Sequence, residues 1–223
     1  MKRTVIALAA TLAAASAQAE IGMAVTADLG TTGAGFHVVV PMESNLNGRF
    51  GINYLSHDFD KRSGGIGYDA KAKLQTFDAL FDWYVLDNSA LRLTGGVMYN
   101  GNEVTGRARP NANGLYQING RGYTVADVGN LDASIDFQKA APYLGIGWGN
   151  ALTPNKRWNV NADLGTFYQG RAHVNLVSRR CNTNHVTCIV LASDVAREEA
   201  RLAEELSDHK FFPVLRASVS YSF

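Results

Sequence analysis

The chain has 223 residues, 21 basic and 20 acidic side chains, and a formal charge of +1 at pH 7. That balance offers no basic excess for nucleic acid. Glycine is frequent at 22 residues, and 9 tyrosines accompany 10 phenylalanines, yet beyond residue 19 no apolar run approaches the roughly eighteen residues of a membrane helix.

Residues 1–19 hold Lys2 and Arg3, an apolar run from Val5 to Ala15, and Ala17-Gln18-Ala19. These are the charged, apolar and small-residue parts of a secretory signal. A membrane anchor fits less well, because the apolar run is too short to span a bilayer. The expected division is a signal peptide at 1–19 and one domain at 20–223. Losing Lys2 and Arg3 takes 21 basic side chains to 19, against 20 acidic ones.

From Glu20 onward the dominant signal is alternation, the period of a strand with one apolar and one polar face. Residues 21–29 place Ile21, Met23, Val25, Ala27 and Leu29 opposite Asp28. The turn Gly30-Thr31-Thr32-Gly33 leads to a second strand over about 34–41, with Phe36, Val38 and Val40 opposite His37. A third, over 48–57, sends Phe50, Ile52 and Tyr54 one way and Arg49, Gly51 and Asn53 the other. Residues 58–68, charged and glycine-rich, read as a loop. The fourth strand runs from about 71 to 85, with Phe77, Ala79, Phe81 and Trp83 opposite Asp78 and Asp82. The fifth alternates Leu91, Leu93, Val97 and Tyr99 against Arg92 and Thr94.

Residues 101–130 form a first long insertion. Within it Asn119-Gly120 between two β-rich runs is a strong hairpin signal, but each arm is shorter than the roughly nine to eleven residues of a spanning strand. A hairpin above the membrane is expected. A sixth strand is read over about 132–148, where apolar positions switch from odd to even near Ala140-Ala141-Pro142, as a β-bulge would cause. The seventh begins at Trp158 and carries Asp163 inward; the same parity continues through Arg171, His173 and Asn175. A second insertion, 177–209, holds Cys181 and Cys188 and then a helix-forming stretch at 194–206, which Ser193 or Asp194 can cap. That helix is expected to be solvated and packed on the loops. In an exported chain the two cysteines point to a disulfide, with free thiols or half of a metal site as the competing readings. The last strand, within 210–223, sets Leu215, Ala217, Val219, Tyr221 and Phe223 against Arg216 and three serines.

The reading is an all-β fold: an eight-stranded antiparallel up-and-down transmembrane β-barrel with long extracellular loops and one short helix before the last strand. An even strand number leaves no open edge in lipid. The signal peptide, the alternating strands and the final Val219-Ser220-Tyr221-Ser222-Phe223 resemble the small proteobacterial outer-membrane barrels of the OmpA, OmpX and OmpW type. Phe81-Asp82-Trp83-Tyr84, Ala141 to Gly149 and Lys210 to Leu215 resemble a narrower barrel family whose activity is uncharacterised. The resemblance implies insertion by the outer-membrane assembly machinery, with Val219, Tyr221 and Phe223 in the place of its recognition signal, and contact with outer-membrane lipid and lipopolysaccharide.

An eight-stranded barrel has an interior that side chains can fill. The inward charges are Asp28, Asp78, Asp82 and Asp163 with Arg49, Arg92, Arg171 and Arg216, and buried charges must pair or hydrate. A salt-bridged plug is favoured over a narrow porin-like path for solutes or ions. Catalysis is not expected: Ser56 and His57 are adjacent and so face opposite ways, and His173 lies too far along its strand from Asp163. No cofactor and no metal are expected, and the long insertions 101–130 and 177–209 are candidates for an extracellular ligand. Deleting Phe223 is expected to lower the level of folded protein in the outer membrane, measured by membrane fractionation; normal levels would contradict the assembly role.

Overall fold

The structure is a computed structural model and describes residues 22–63, 66–86, 89–153, 156–179, 181 and 183–223. The expected signal peptide at 1–19 lies outside the described residues. Thirteen strands follow one another among those described. They are β1 (Ala24–Gly30), β2 (Gly33–Glu43), β3 (Leu46–Ser63), β4 (Ile66–Trp83), β5 (Leu91–Asn100), β6 (Glu103–Arg109), β7 (Leu115–Ile118), β8 (Arg121–Thr124), β9 (Asn130–Asp136), β10 (Ala140–Trp148), β11 (Trp158–Tyr168), β12 (His173–Arg179) and β13 (Phe211–Ser222). A short helix α1 (Val125–Val128) follows β8, and a second helix α2 (His185–Glu205) precedes β13.

Antiparallel neighbours run β4–β3–β2–β1–β13–β11–β10–β5, and β5 pairs with β4 again. The sheet therefore closes as a ring of eight strands among the described residues. The closing pair is β1 with β13, in the register Asp28 opposite Ser218 and Val25 opposite Tyr221. Alternation dictates what each face carries. Leu91, Leu93, Val97 and Tyr99 point out, as do Phe77, Phe81 and Trp83, and Leu144 is 71 % exposed. Their neighbours Asp78, Asp82, Arg92 and Thr94 are buried inside.

Above the ring the fold departs from the expected loops. Residues 58–63 and 66–68, expected as loop, are strand: β3 and β4 stay paired from Leu46 opposite Trp83 up to Ser63 opposite Ile66. Beyond the apolar belt the outward positions become polar, so alternation fades while the backbone ladder continues. The sixth expected strand is two. β10 stays in the ring, whereas β9 leaves it to pair with β6 and β12. The parity switch near 140 thus marks a break between strands at 137–139 and not a bulge. In the same way the chain bends after β11, at Gly170 with φ of 73°, and β12 joins β9.

Strands β3, β4, β6, β9 and β12 form a wall above the ring. On one face of it Tyr68, Ala108, Leu131 and Leu176 pack with Ile118 of the β7–β8 hairpin and with Leu191, Val195 and Leu202 of α2. The hairpin turns at Asn119 and Gly120, with φ of 50° and 75°, the positive pair that a two-residue hairpin turn needs. Helix α2 starts nine residues before the expected 194. Its cap is Asn184, whose side chain accepts from Thr187 N at 2.8 Å. Val186, Thr187, Ile189 and Val190 are β-branched and weaken the helix signal of that first stretch. Cys181 and Cys188 are joined by a disulfide that ties the preceding loop to the first turns of α2.

Candidate functional site

The interior of the ring holds two interlocked ionic clusters. In the first, Arg216 of β13 lies 3.4 Å from Asp28 and 3.0 Å from Asp78. His37 of β2 bridges the same two carboxylates, with Nδ1 2.7 Å from Asp28 and Nε2 2.9 Å from Asp78. Asn53 donates to Asp78 at 3.1 Å and to Thr76 at 2.9 Å. In the second cluster Arg49 of β3 donates to both oxygens of Asp163, at 3.0 and 3.1 Å, and to Asp82 at 3.1 Å. Arg92 of β5 donates to Asp163 at 2.7 Å and to the Gly149 carbonyl, and Thr94 donates to Asp82 at 2.6 Å.

These contacts follow from strand register. Gly51 stands opposite both His37 and Asp78 across its two ladders, and a Cβ there would lie 2.2 Å from the imidazole. Gly147 likewise stands beside Arg92, where a Cβ would come within 2.7 Å of the guanidinium. The two glycines leave the space that the large charged side chains fill. Leu80, Met98, Ala141, Tyr143, Phe167 and Val214 form an apolar layer next to the charges, and Phe167 stacks on Phe212 at 4.9 Å between ring centres. At the opposite end Ala24, Val39 and Ala151 pack together.

Seven of the eight inward charges expected from sequence meet here: Asp28, Asp78, Asp82, Asp163, Arg49, Arg92 and Arg216. Arg171 does not. It is exposed in the bend between β11 and β12, because the strand it was expected to extend has already ended at Tyr168. His37 was legible as an inward residue, but its place between two aspartates was not. Only the register of four strands, β1 to β4, puts Asp28 and Asp78, which lie 9 and 41 residues from it, on its two nitrogens. His173 is exposed on β12, 3.8 Å from Asp136, whereas Asp163 is inside the ring. At the last strand Tyr221 packs edge-on against Trp158 and Phe223, with ring centres 5.0 and 5.2 Å away, and Phe223 N donates to Met23 O at 3.0 Å.

The second polar centre joins the cap. Asp194 on α2 is buried and accepts from Tyr123 Oη at 2.6 Å and Asn119 Nδ2 at 2.9 Å, with Arg121 3.3 Å away. Glu198 accepts from Asn119 N at 3.3 Å and pairs with Arg201. Glu199 accepts from Leu176 N on β12 at 3.0 Å. The acidic side chains expected to solvate the helix therefore dock it. Hydrogen bonds from Tyr123 and Asn119, helped by Arg121 and Arg197, hold the Asp194 carboxyl below its usual range. Desolvation and then Asp194 itself push the Tyr123 phenol up.

No known family profile matches the sequence, and no curated protein matches it. Solved structures do share the fold. CarO2 of Acinetobacter baumannii is 19% identical, with 91% of this chain and 99% of that chain aligned and a TM-score of 0.57. CarO of the same organism is 19% identical over 91% of this chain and 97% of that one, with a TM-score of 0.52. At that identity the likeness is one of fold.

Two outcomes follow. Arg216→Ala leaves Asp28 and Asp78 without their guanidinium and is expected to cost about 3–5 kcal/mol, read from urea unfolding of the detergent-folded protein; a loss under about 1 kcal/mol would contradict the cluster. The Asp194 carboxyl, lowered in the folded state, stabilises the cap above its ordinary value of 3.8, and that contribution disappears as the pH falls through the folded value. NMR of the Asn119 side-chain amide should show this acid transition in the wild type, and Asp194→Asn should abolish it.

Proposed function

We propose that the chain is an integral outer-membrane β-barrel protein whose lumen is held shut by paired charges and whose outer cap is a surface-interaction module. The observation that carries this reading is the inversion of polarity. Arg49, Arg92, Arg216 and four aspartates are buried inside the ring, while Leu93, Val97, Leu144, Trp148, Trp158 and Leu215 are exposed outside it. Water does not reward that arrangement, because an apolar surface of this extent needs an apolar partner. Lipid does reward it, since a closed ring satisfies every strand and its outer face is apolar with aromatic girdles. The fold shared with CarO and CarO2 supports the same location.

The plug follows from packing. The pocket among Thr26, Val39, Arg49, Asp82, Arg92 and Ser218 holds only about 10 Å³, near the least that one water needs. Together with the apolar layer around Phe167, this favours a filled interior over a path for solutes. With the signal peptide as expected, both ends of the barrel domain lie on the periplasmic side and the cap faces outward. Assembly then uses the outer-membrane machinery, and the two insertions supply the surface open to a partner. The reading includes no catalytic step.

Conductance across planar bilayers tests it. Purified protein should give no steady open-channel current, either intact or with the insertions 101–130 and 177–209 shortened. A steady current through the intact protein would overturn the plug; current only after shortening would place the closure in the cap.

A further inference from the structure

The wall above the ring has a second face, opposite the one that packs on α2 and the hairpin. It continues the outward side of the ring. On β4 the outward residues Trp83, Phe81 and Phe77 are followed on the same parity by Gln75, Lys73, Lys71 and Asp69. A groove of about 530 Å³ lies on this face, and Lys71, Thr105, Arg107, Asp132, Ser134 and Arg179 line it. Asp132 holds both arginines by their inner nitrogens, with Arg107 Nε at 3.2 Å and Arg179 Nε at 3.0 Å. The two guanidiniums thus neutralise one carboxylate and keep an unspent positive charge between them. Asp69, also on the lining, is paired with Arg109 at 3.1 Å. Three cations against two carboxylates leave the groove at +1, with Thr105 and Ser134 as hydroxyl donors.

Position names the ligand class. The apolar belt ends near Tyr54, which stands opposite Gln75, an aromatic of the kind that marks the interface. Lys71 lies four residues further, about 13 Å along the strand at ~3.3 Å per residue, or about 10 Å above the belt for a strand tilted by ~40°. A glycerophospholipid headgroup layer is only about 5–8 Å deep and would not reach it. A sugar headgroup carrying phosphate would. Guanidinium forks match phosphate oxygens, and a lysine adds a point charge.

We infer that this groove binds the phosphorylated saccharide headgroup of an outer-leaflet glycolipid. The inference rests on the membrane location proposed above. Lys71, Arg107 and Arg179 contact the phosphate, and Thr105 and Ser134 contact the sugar or the remaining phosphate oxygens.

The test is titration of the detergent-folded protein with lipopolysaccharide, with the same lipopolysaccharide after dephosphorylation, and with inorganic phosphate. The wild type should prefer the phosphorylated form by about tenfold or more, since one charge-assisted contact is worth that much. The combined variant Lys71→Gln, Arg107→Gln, Arg179→Gln should lose the preference, and Arg157→Gln, beside Tyr221 at the other end of the ring, should keep it. If the combined variant does not fold, Arg179→Gln alone, on the edge strand β12, gives the readout through a partial loss. Equal binding of both lipopolysaccharide forms, or a preference that survives in the variants, would overturn the site. Binding of inorganic phosphate as tight as that of the glycolipid would overturn the lipid as its ligand. Insertion into phosphatidylcholine vesicles is measured in parallel: failure to insert removes the membrane reading and the site with it, whereas insertion without phosphate preference removes the site alone.

Discussion

Everything in this fold depends on the pairing of carboxylates with guanidiniums inside a closed ring of strands. Arg216 ties β13 to β1 and β4, and Arg49 and Arg92 tie β3 and β5 to β4 and β11. A buried charge left without its partner is far more costly than the pair is stabilising. The clusters are therefore better understood as register locks than as a source of net stability. A slip by one residue on any of these strands would turn an arginine or an aspartate to the outer face and a leucine or phenylalanine in. Only one register satisfies all the groups together.

The same constraint explains the glycines and the apolar layer. Charged side chains as large as Arg92 need room, and Gly147 supplies it where a Cβ would touch the guanidinium. Around them Leu80, Met98, Tyr143 and Phe167 exclude water, which strengthens each ion pair by keeping the surroundings of low polarity. The cap repeats the device on a smaller scale. Asp194 and Glu198 are turned toward the hairpin, and a helix that looks solvated in sequence becomes fixed by three hairpin residues, Asn119, Arg121 and Tyr123, and by Glu199, which accepts from Leu176 N on the wall.

Much of the ring was legible because its physics is periodic. Phe77, Ala79, Phe81 and Trp83 against Asp78 and Asp82 alternate cleanly, and the eight alternating stretches supply the ring strands, the sixth only through its later part, β10. Legibility ended where the environment stopped being two-sided. Asp58, Asp60 and Asp69 belong to strands, but both faces there meet polar or cap surroundings, so no alternation marks them. The odd-to-even change near 140 was visible, yet a bulge and a departing strand leave the same trace, and only the pairing of β9 with β6 and β12 decides between them. Arg171 was placed inside by continuing a strand that ends at Tyr168. His37 needed four strands in register before its two aspartates could be seen.

The central claim is that the interior of the ring is filled and closed to solvent from both sides. Ser218 tests it directly: the residue lies on β13 opposite Asp28, it is 5% exposed, and cysteine is close to serine in size. Folded Ser218→Cys protein in vesicles would be treated with a small charged thiol reagent added outside, and separately with the reagent trapped inside. The account predicts no labelling from either side until the protein is unfolded. Rapid labelling of the folded barrel would show an open, water-filled lumen and contradict it.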